Sequence, residues 1–317
     1  MVRPSSSPFL LLLFLLLSAL IALATAASAF VLAPSPCCRS VSHSGKSIRR
    51  HLAASSSGGE KKVKAATAAA SKKEEQKEEP AWVRVSVLES RPVAEGLIHV
   101  AIDGGDLMAS YSVPGQYVQL KPHAPGAKPG FFAVASPPSV KSGSSRAEFL
   151  IKKTENTAWL CEAQAGEVID MTPAMGKGYK IQSLDEEGIN FVLLLAAGSG
   201  IAPIRAAIES EMLGLKKMSR YSRLYLGVRS PAHLPYTEKF DAWREKGLEI
   251  IPCFSRAPVP MNSSGYWGYV QQGLAGDDIR RPDKTAALVC GMKDMANLST
   301  HILKQKGVAP ERILFNF

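Results

Sequence analysis

The stretch FVLLLAAGSGIAPIRAAIESEML, residues 191–213, decides how this chain is read. Seven apolar residues, Phe191 to Ala197, meet Gly198-Ser199-Gly200 and Ile201-Ala202-Pro203, after which the pattern turns helical. An apolar run of that length reads as a strand buried on both faces. Glycines where such a strand enters a helix allow a sharp turn and a close approach of phosphate to the backbone. Pro203 stands where the usual dinucleotide fingerprint has its last glycine. It suits a helix's first turn, whose N–H groups lack partners anyway. On this segment alone, a phosphate-binding turn and a plain geometric turn fit equally well.

Downstream, strands alternate with helices. FVLLLAA, RLYLGVR, LEIIPCF, TAALVCG and RILFNF read as strands, with helices near 203–217, 236–246, 268–274 and 292–306. Such alternation builds a parallel sheet covered on both faces. Upstream, short β-rich runs are broken by Gly and Pro: WVRVSVLES, GLIHVAI, GQYVQLK, FFAVAS, AEFLIKK and EVIDMTP. Val83, Val85 and Val87 alternate with Arg84 and Ser86, the period of a half-buried strand. Six such runs predict a small antiparallel β-barrel. The expected fold is thus β + α/β, a barrel over residues 80–183 followed by a doubly wound domain over 190–317.

Ahead of these lies a different kind of sequence. Residues 1–59 contain no Asp or Glu and are rich in Ser, with scattered Arg and Lys, the composition of a plastid transit peptide. Within them, the apolar run at residues 9–29 with small-residue steps reads alternatively as a secretory signal, or as a membrane anchor if retained. Residues 60–79, EKKVKAATAAASKKEEQKEE, have too little apolar surface to fold and read as a linker. Residues 1–79 hold 11 of the 38 Lys and Arg and 5 of the 28 Asp and Glu, leaving 27 and 23 for the rest. A net charge near +4 on the folded part excludes a basic nucleic-acid binder. Cys161, Cys253 and Cys290 are far apart and make neither a disulfide framework nor a metal or iron–sulfur site. Redox chemistry would need a bound organic cofactor.

Three more strand ends carry polar or small residues: Gly227-Val228-Arg229, Ser255-Arg256 and Cys290-Gly291-Met292. Parallel sheets collect ligands at these ends. With the preceding barrel, the arrangement resembles the ferredoxin–NADP⁺ reductase family over about residues 80–317. The resemblance implies FAD on the barrel and NAD(P)H on the parallel domain. Gly198, Ser199, Gly200 and Pro203 match the nucleotide pyrophosphate turn. Cys290, Gly291 and Met295 match the Cys-Gly-x-x-x-Met segment, which places Cys290 beside the nicotinamide; the adjoining Met292 is a further candidate. GYWGYVQQGL resembles the family's Gly-Tyr-Val-Gln segment. Ser255, Arg256 and Tyr269 match groups that hold the 2′-phosphate and adenine of NADPH, which is therefore favoured over NADH. Arg229 is a second candidate cation or a solvated surface charge.

On the flavin side the chain departs from the family's Arg-x-Tyr-Ser. GFFAVASPP puts Gly130 at the Arg, Phe132 at the Tyr and Ala133 at the Ser. Phe132 can still stack on a flavin ring; otherwise Phe131 and Phe132 read as simple barrel core. Lys128, Lys152 or Lys153 can supply charge, and Ser136 a hydroxyl. Thr157 and the turn at Gly176 and Gly178 resemble the family's phosphate contacts. The resemblance thus implies FAD, with FMN as a substitute. Phe317 matches the terminal aromatic that covers the flavin, or simply ends the last strand. Two classes of function follow: a flavin-dependent NAD(P)H oxidoreductase with a separate electron acceptor, or a flavin-poor nucleotide sensor or assembly partner.

Overall fold

The computed structural model describes residues 81–138, 144–215, 220–258 and 265–316. The expected leader, the charged linker and Phe317 lie outside them.

Six strands form the antiparallel half: β1 (Val83–Ala94), β2 (Leu97–Asp103), β3 (Tyr117–Pro122), β4 (Gly130–Ala133), β5 (Arg146–Lys152) and β6 (Val168–Met171), in the order β4-β3-β6-β1-β2-β5. Val85 and Val87 face inward from β1 until a bulge after Val87 resets the alternation. The interior is filled by residues such as Val100, Ile102, Leu120, Phe149 and Met171. Just past β4, the Ala135 N–H donates to the Glu148 carbonyl of β5 at 2.7 Å, bringing the two edges of the sheet together. A four-residue helix, α1 (Ala158–Cys161), packs against β1 and β2.

The parallel half contains β7 (Phe191–Ala197), β8 (Tyr221–Val228), β9 (Leu248–Phe254), β10 (Tyr266–Trp267), β11 (Thr285–Cys290) and β12 (Ile313–Phe315), ordered β10-β9-β8-β7-β11-β12. A short α2 (Ser183–Glu186) leads into β7, and α3 (Ile201–Glu209), α4 (Phe240–Glu245), α5 (Val270–Gly276) and α6 (Lys293–Gln305) connect later strands. Buried clusters lie on both sides of the sheet, which is why β7 is apolar throughout. The strand order reverses between β7 and β11. At such a switch point the loops leave a crevice beyond the carboxyl ends of the strands.

Several element boundaries differ from the sequence reading. The helix expected over 203–217 begins at Ile201 and ends at Glu209. There Ser210 takes an extended backbone while its hydroxyl donates to the Ala207 carbonyl. The helix expected at 236–246 starts only at Phe240, because Tyr236 adopts a left-handed backbone before it. The helix expected over 268–274 runs from Val270 to Gly276, because Gly268 (φ 141°) and the extended Tyr269 precede it. Strand β10 was not expected; its two residues pair with Cys253 and Phe254, a non-local contact.

The two halves share a core. Leu97, Ala135 and Leu150 of the barrel are buried in one cluster with Val192, Leu194, Ile201 and Ile204. The Glu95 N–H, at the β1–β2 turn, donates to the Ala232 carbonyl beyond β8. A shared apolar core of this kind opposes independent motion of the halves.

Candidate functional site

The crevice at the switch point is built by two loops in contact. A methyl group at Gly200 would stand 2.5 Å from the Cys290 carbonyl oxygen and 3.1 Å from Gly291 Cα, so only glycine lets the loops after β7 and β11 meet. Gly291 is confined in turn by the Met295 methyl and Ala197. Gly198 is different. Its φ is +55°, and a Cβ there would meet nothing within 4 Å. The turn is therefore closed behind and open in front, as a backbone that receives a ligand must be. Helix α3 starts at Ile201, and Pro203 lies in its first turn, where the orphan amides and the positive end of the dipole favour an anion. These residues fit a dinucleotide pyrophosphate.

Cys290, Gly291 and exposed Met292 follow at the end of β11. Burial pushes the Cys290 thiol up to about 12, and the Tyr179 hydroxyl beside it pulls the other way. Tyr179 is wholly buried, and its hydroxyl has no conventional hydrogen-bond partner among the described residues. Its ring and the Asn316 Cβ both crowd Gly115, so the end of the chain is brought against the barrel entrance beside Cys290. The Cys253 thiol is likewise pushed by burial up to about 12, and burial raises that of Cys161. All three are expected to be inert as nucleophiles near neutral pH. Alkylation of these three by iodoacetamide at pH 7 should be negligible on the folded chain and complete after unfolding. Rapid native labelling at Cys290 would contradict that assignment.

Along the neighbouring strand ends, the Arg256 N–H donates to the Arg229 carbonyl at 2.9 Å, which sets the two arginines side by side. Both are exposed, and neither has an ion-pair partner among the described residues. Ser255 donates weakly to the Val228 carbonyl (3.4 Å). Tyr269 is exposed at the start of α5. Trp267, 70% exposed on β10, lies two residues before it and was missed in the sequence. Its signal was an aromatic set between Tyr266 and Gly268 in a two-residue strand, too short to show a period.

The barrel side does not offer FAD the expected contacts. A Cβ at Gly130 would fall 2.7 Å from the Phe132 ring, which lies across the position where the resemblance puts an arginine. Phe132 is half-buried on the barrel core, whereas Phe131, also expected in the core, is 66% exposed with its ring edge-on to Tyr117. Ala133 pairs with Tyr117 and brings no hydroxyl. The Ser136 hydroxyl accepts the Glu148 N–H at 3.2 Å. Thr157 Oγ1 donates to the Lys152 carbonyl (2.7 Å) and accepts the Thr154 N–H (2.9 Å). Lys153 pairs with Glu162 at 2.8 Å. A Cβ at Gly176 would meet the Tyr117 ring and one at Gly178 would meet Pro114 and Val113. The expected phosphate turn is thus closed to side chains at both glycines, with Gly176 and Lys177 themselves exposed. Among the described residues, the groups expected at the FAD diphosphate other than exposed Lys128 and Lys152 are absent or engaged within the protein, while the partly exposed Phe132 still offers a face for a planar ring.

Residues 194–301 match the family model described as an oxidoreductase NAD-binding domain. The chain is 36% identical to fruit protein pKIWI502 of Actinidia deliciosa over 245 residues, covering 74% of this chain and 76% of that protein. It is 27% identical to the chloroplastic ferredoxin–NADP reductase of Mesembryanthemum crystallinum over 146 residues, 43% of this chain and 39% of that protein's length. Among solved structures, a ferredoxin NADP⁺ reductase from Neisseria gonorrhoeae with bound FAD and NADP superposes with a TM-score of 0.62. That likeness is at 22% identity, covers 75% of this chain and 98% of the other, and speaks to the fold alone.

Proposed function

Because this chain belongs to the ferredoxin–NADP⁺ reductase-like family, we propose that it is an NAD(P)H-dependent oxidoreductase. It takes hydride from a reduced nicotinamide onto a flavin and passes the electrons to a separate acceptor. The observation that carries this reading is the turn at Gly198, open in front and locked behind by Cys290. The first turn of α3 holds the pyrophosphate, and the protonated Cys290 thiol positions the nicotinamide ring without covalent chemistry. The flavin supplies the hydride-accepting ring. Tyr269, with Trp267 nearby, offers aromatic faces for adenine. The acid-free leader supports delivery to plastids, and the apolar run at residues 9–29 supports the secretory alternative.

Arg256 and Arg229 favour NADPH, since a guanidinium pairs bidentately with a 2′-phosphate. Arg256→Gln is expected to lower kcat/KM for NADPH by about 10- to 100-fold and to leave NADH use unchanged. Equal losses with both nucleotides would remove Arg256 from the 2′-phosphate site. The reading itself is tested by mixing the full-length chain anaerobically with FAD and NADPH. Loss of dihydronicotinamide absorbance with bleaching of the flavin bands is expected. A chain that binds NADPH yet leaves flavin oxidised would instead be a nucleotide sensor.

A further inference from the structure

The two Gly-x-Gly turns of this chain look alike in sequence, yet their surroundings differ. A Cβ at Gly198 would meet nothing, whereas one at Gly176 or Gly178 would meet Tyr117, Pro114 or Val113, although Gly176 and the intervening Lys177 are themselves exposed. The same contrast runs through the barrel side. Thr157 and Ser136 are engaged with backbone groups, Lys153 with Glu162, and the Phe132 ring lies over Gly130. Lys128, Lys152 and Lys177 remain as exposed ammonium groups, solvated and screened. Among the described residues, the phosphate-binding apparatus is therefore concentrated on the nicotinamide side. What the barrel side presents is aromatic: Phe131, 66% exposed with its ring edge-on to Tyr117, and Phe132, partly exposed and supported by the core that also carries Trp159.

Resting on the oxidoreductase reading above, we infer that the flavin is recognised through its isoalloxazine ring and not its phosphates. Riboflavin, FMN and FAD are then equivalent, exchangeable substrates. NAD(P)H gives a hydride from C4 to the ring, water gives a proton, and the products are NAD(P)⁺ and the dihydroflavin. The dihydroflavin dissociates with both electrons and is itself the carrier to whatever accepts them. A resident FAD would require its acceptor, protein or small molecule, to reach this cleft, but a diffusing dihydroflavin does not.

The experiment uses the full-length chain, dialysed free of flavin at high salt and titrated with riboflavin, FMN and FAD by fluorescence quenching. Each titration is followed by NADPH oxidation with the same flavin. Dissociation constants within about threefold of one another are expected, because a diphosphate that contributes nothing leaves the affinity unchanged. Phe132→Ala should weaken all three alike, by about tenfold. FAD bound more than about tenfold tighter than riboflavin, or FAD retained stoichiometrically through dialysis, overturns the inference, as does failure to bind any flavin. Even binding without NADPH oxidation would instead sink the oxidoreductase reading while leaving ring recognition standing. Retained FAD that NADPH reduces would do the reverse.

Discussion

Gly200→Ala is expected to lower the melting temperature by about 6–12 °C, while Gly198→Ala costs about 2–4 °C and removes nucleotide binding. At Gly200 the new methyl meets the Cys290 carbonyl oxygen at 2.5 Å, its carbon at 2.8 Å and Gly291 Cα at 3.1 Å. All are backbone atoms, so no side chain can rotate away. Relief requires moving β7 from β11, which pair from Thr285↔Phe191 to Cys290↔Ala196. Overpacking of that kind costs up to about 3 kcal/mol, and a chain this size shifts by roughly 2–4 °C per kcal/mol. At Gly198 the strain is only that of a left-handed alanine, about 1 kcal/mol. Its methyl projects into open space, where a diphosphate would approach. Melting curves and an NADPH titration on the two variants separate the roles. Unchanged NADPH affinity in Gly198→Ala would mean that the turn serves geometry alone.

That contrast also marks where sequence reading stops. The strands of both sheets, β10 apart, were legible because their cause is local: alternation in β1, unbroken apolarity in β7. The glycine roles were not, since Gly198 and Gly176 differ only in which distant side chains stand over them. The end of α3 at Glu209 was hidden for a similar reason. Just beyond it, buried Arg220 donates to the carbonyls of Ile189 and Leu213, tying the following turn to the segment before β7. Arg229, Arg256 and Cys290 converge on one sheet edge, as the strand-end rule implies. Thr157, Ser136 and Gly176 were placed by motif likeness alone, and their hydrogen bonds and neighbours assign them to structure. Most hidden was the charge network between the halves, whose partners lie 57 residues apart.

Arg205→Met is expected to destabilise the chain by about 1.5–3 kcal/mol, because it takes the buried guanidinium from two carboxylates and leaves Glu148 with Arg146 and Glu209 with Lys239. The Arg205 side chain is 5% exposed. It donates to Glu148 of the barrel strand β5 at 2.5 Å and to Glu209 of its own helix at 3.1 Å. Its guanidinium lies 4.8 Å from the ring centroid of Tyr236. Tyr236 is the one non-glycine residue with positive φ (63°) among the described residues, a strain the joint sustains. Adding Glu148→Gln to Arg205→Met should recover part of the loss, since it removes one of the two half-buried carboxylates that lost the guanidinium, whereas independent sites would add. The joint also sets the acid limit of the fold. Burial works to raise the Glu148 pKa, but the charge and hydrogen bond of Arg205, with Arg146, hold it below 4.5. Stability from a depressed carboxylate is complete above 4.5 and is lost as pH falls through the lower folded value. His99, buried nearby, is held below 6.5 mainly by desolvation, so the unfolded chain takes its proton first and stability begins to fall below pH 6.5. Urea midpoints against pH should therefore decline in two stages. His99→Gln should abolish the first and Arg205→Met should blunt the second. A single decline unaffected by either variant would place the acid sensitivity outside this joint.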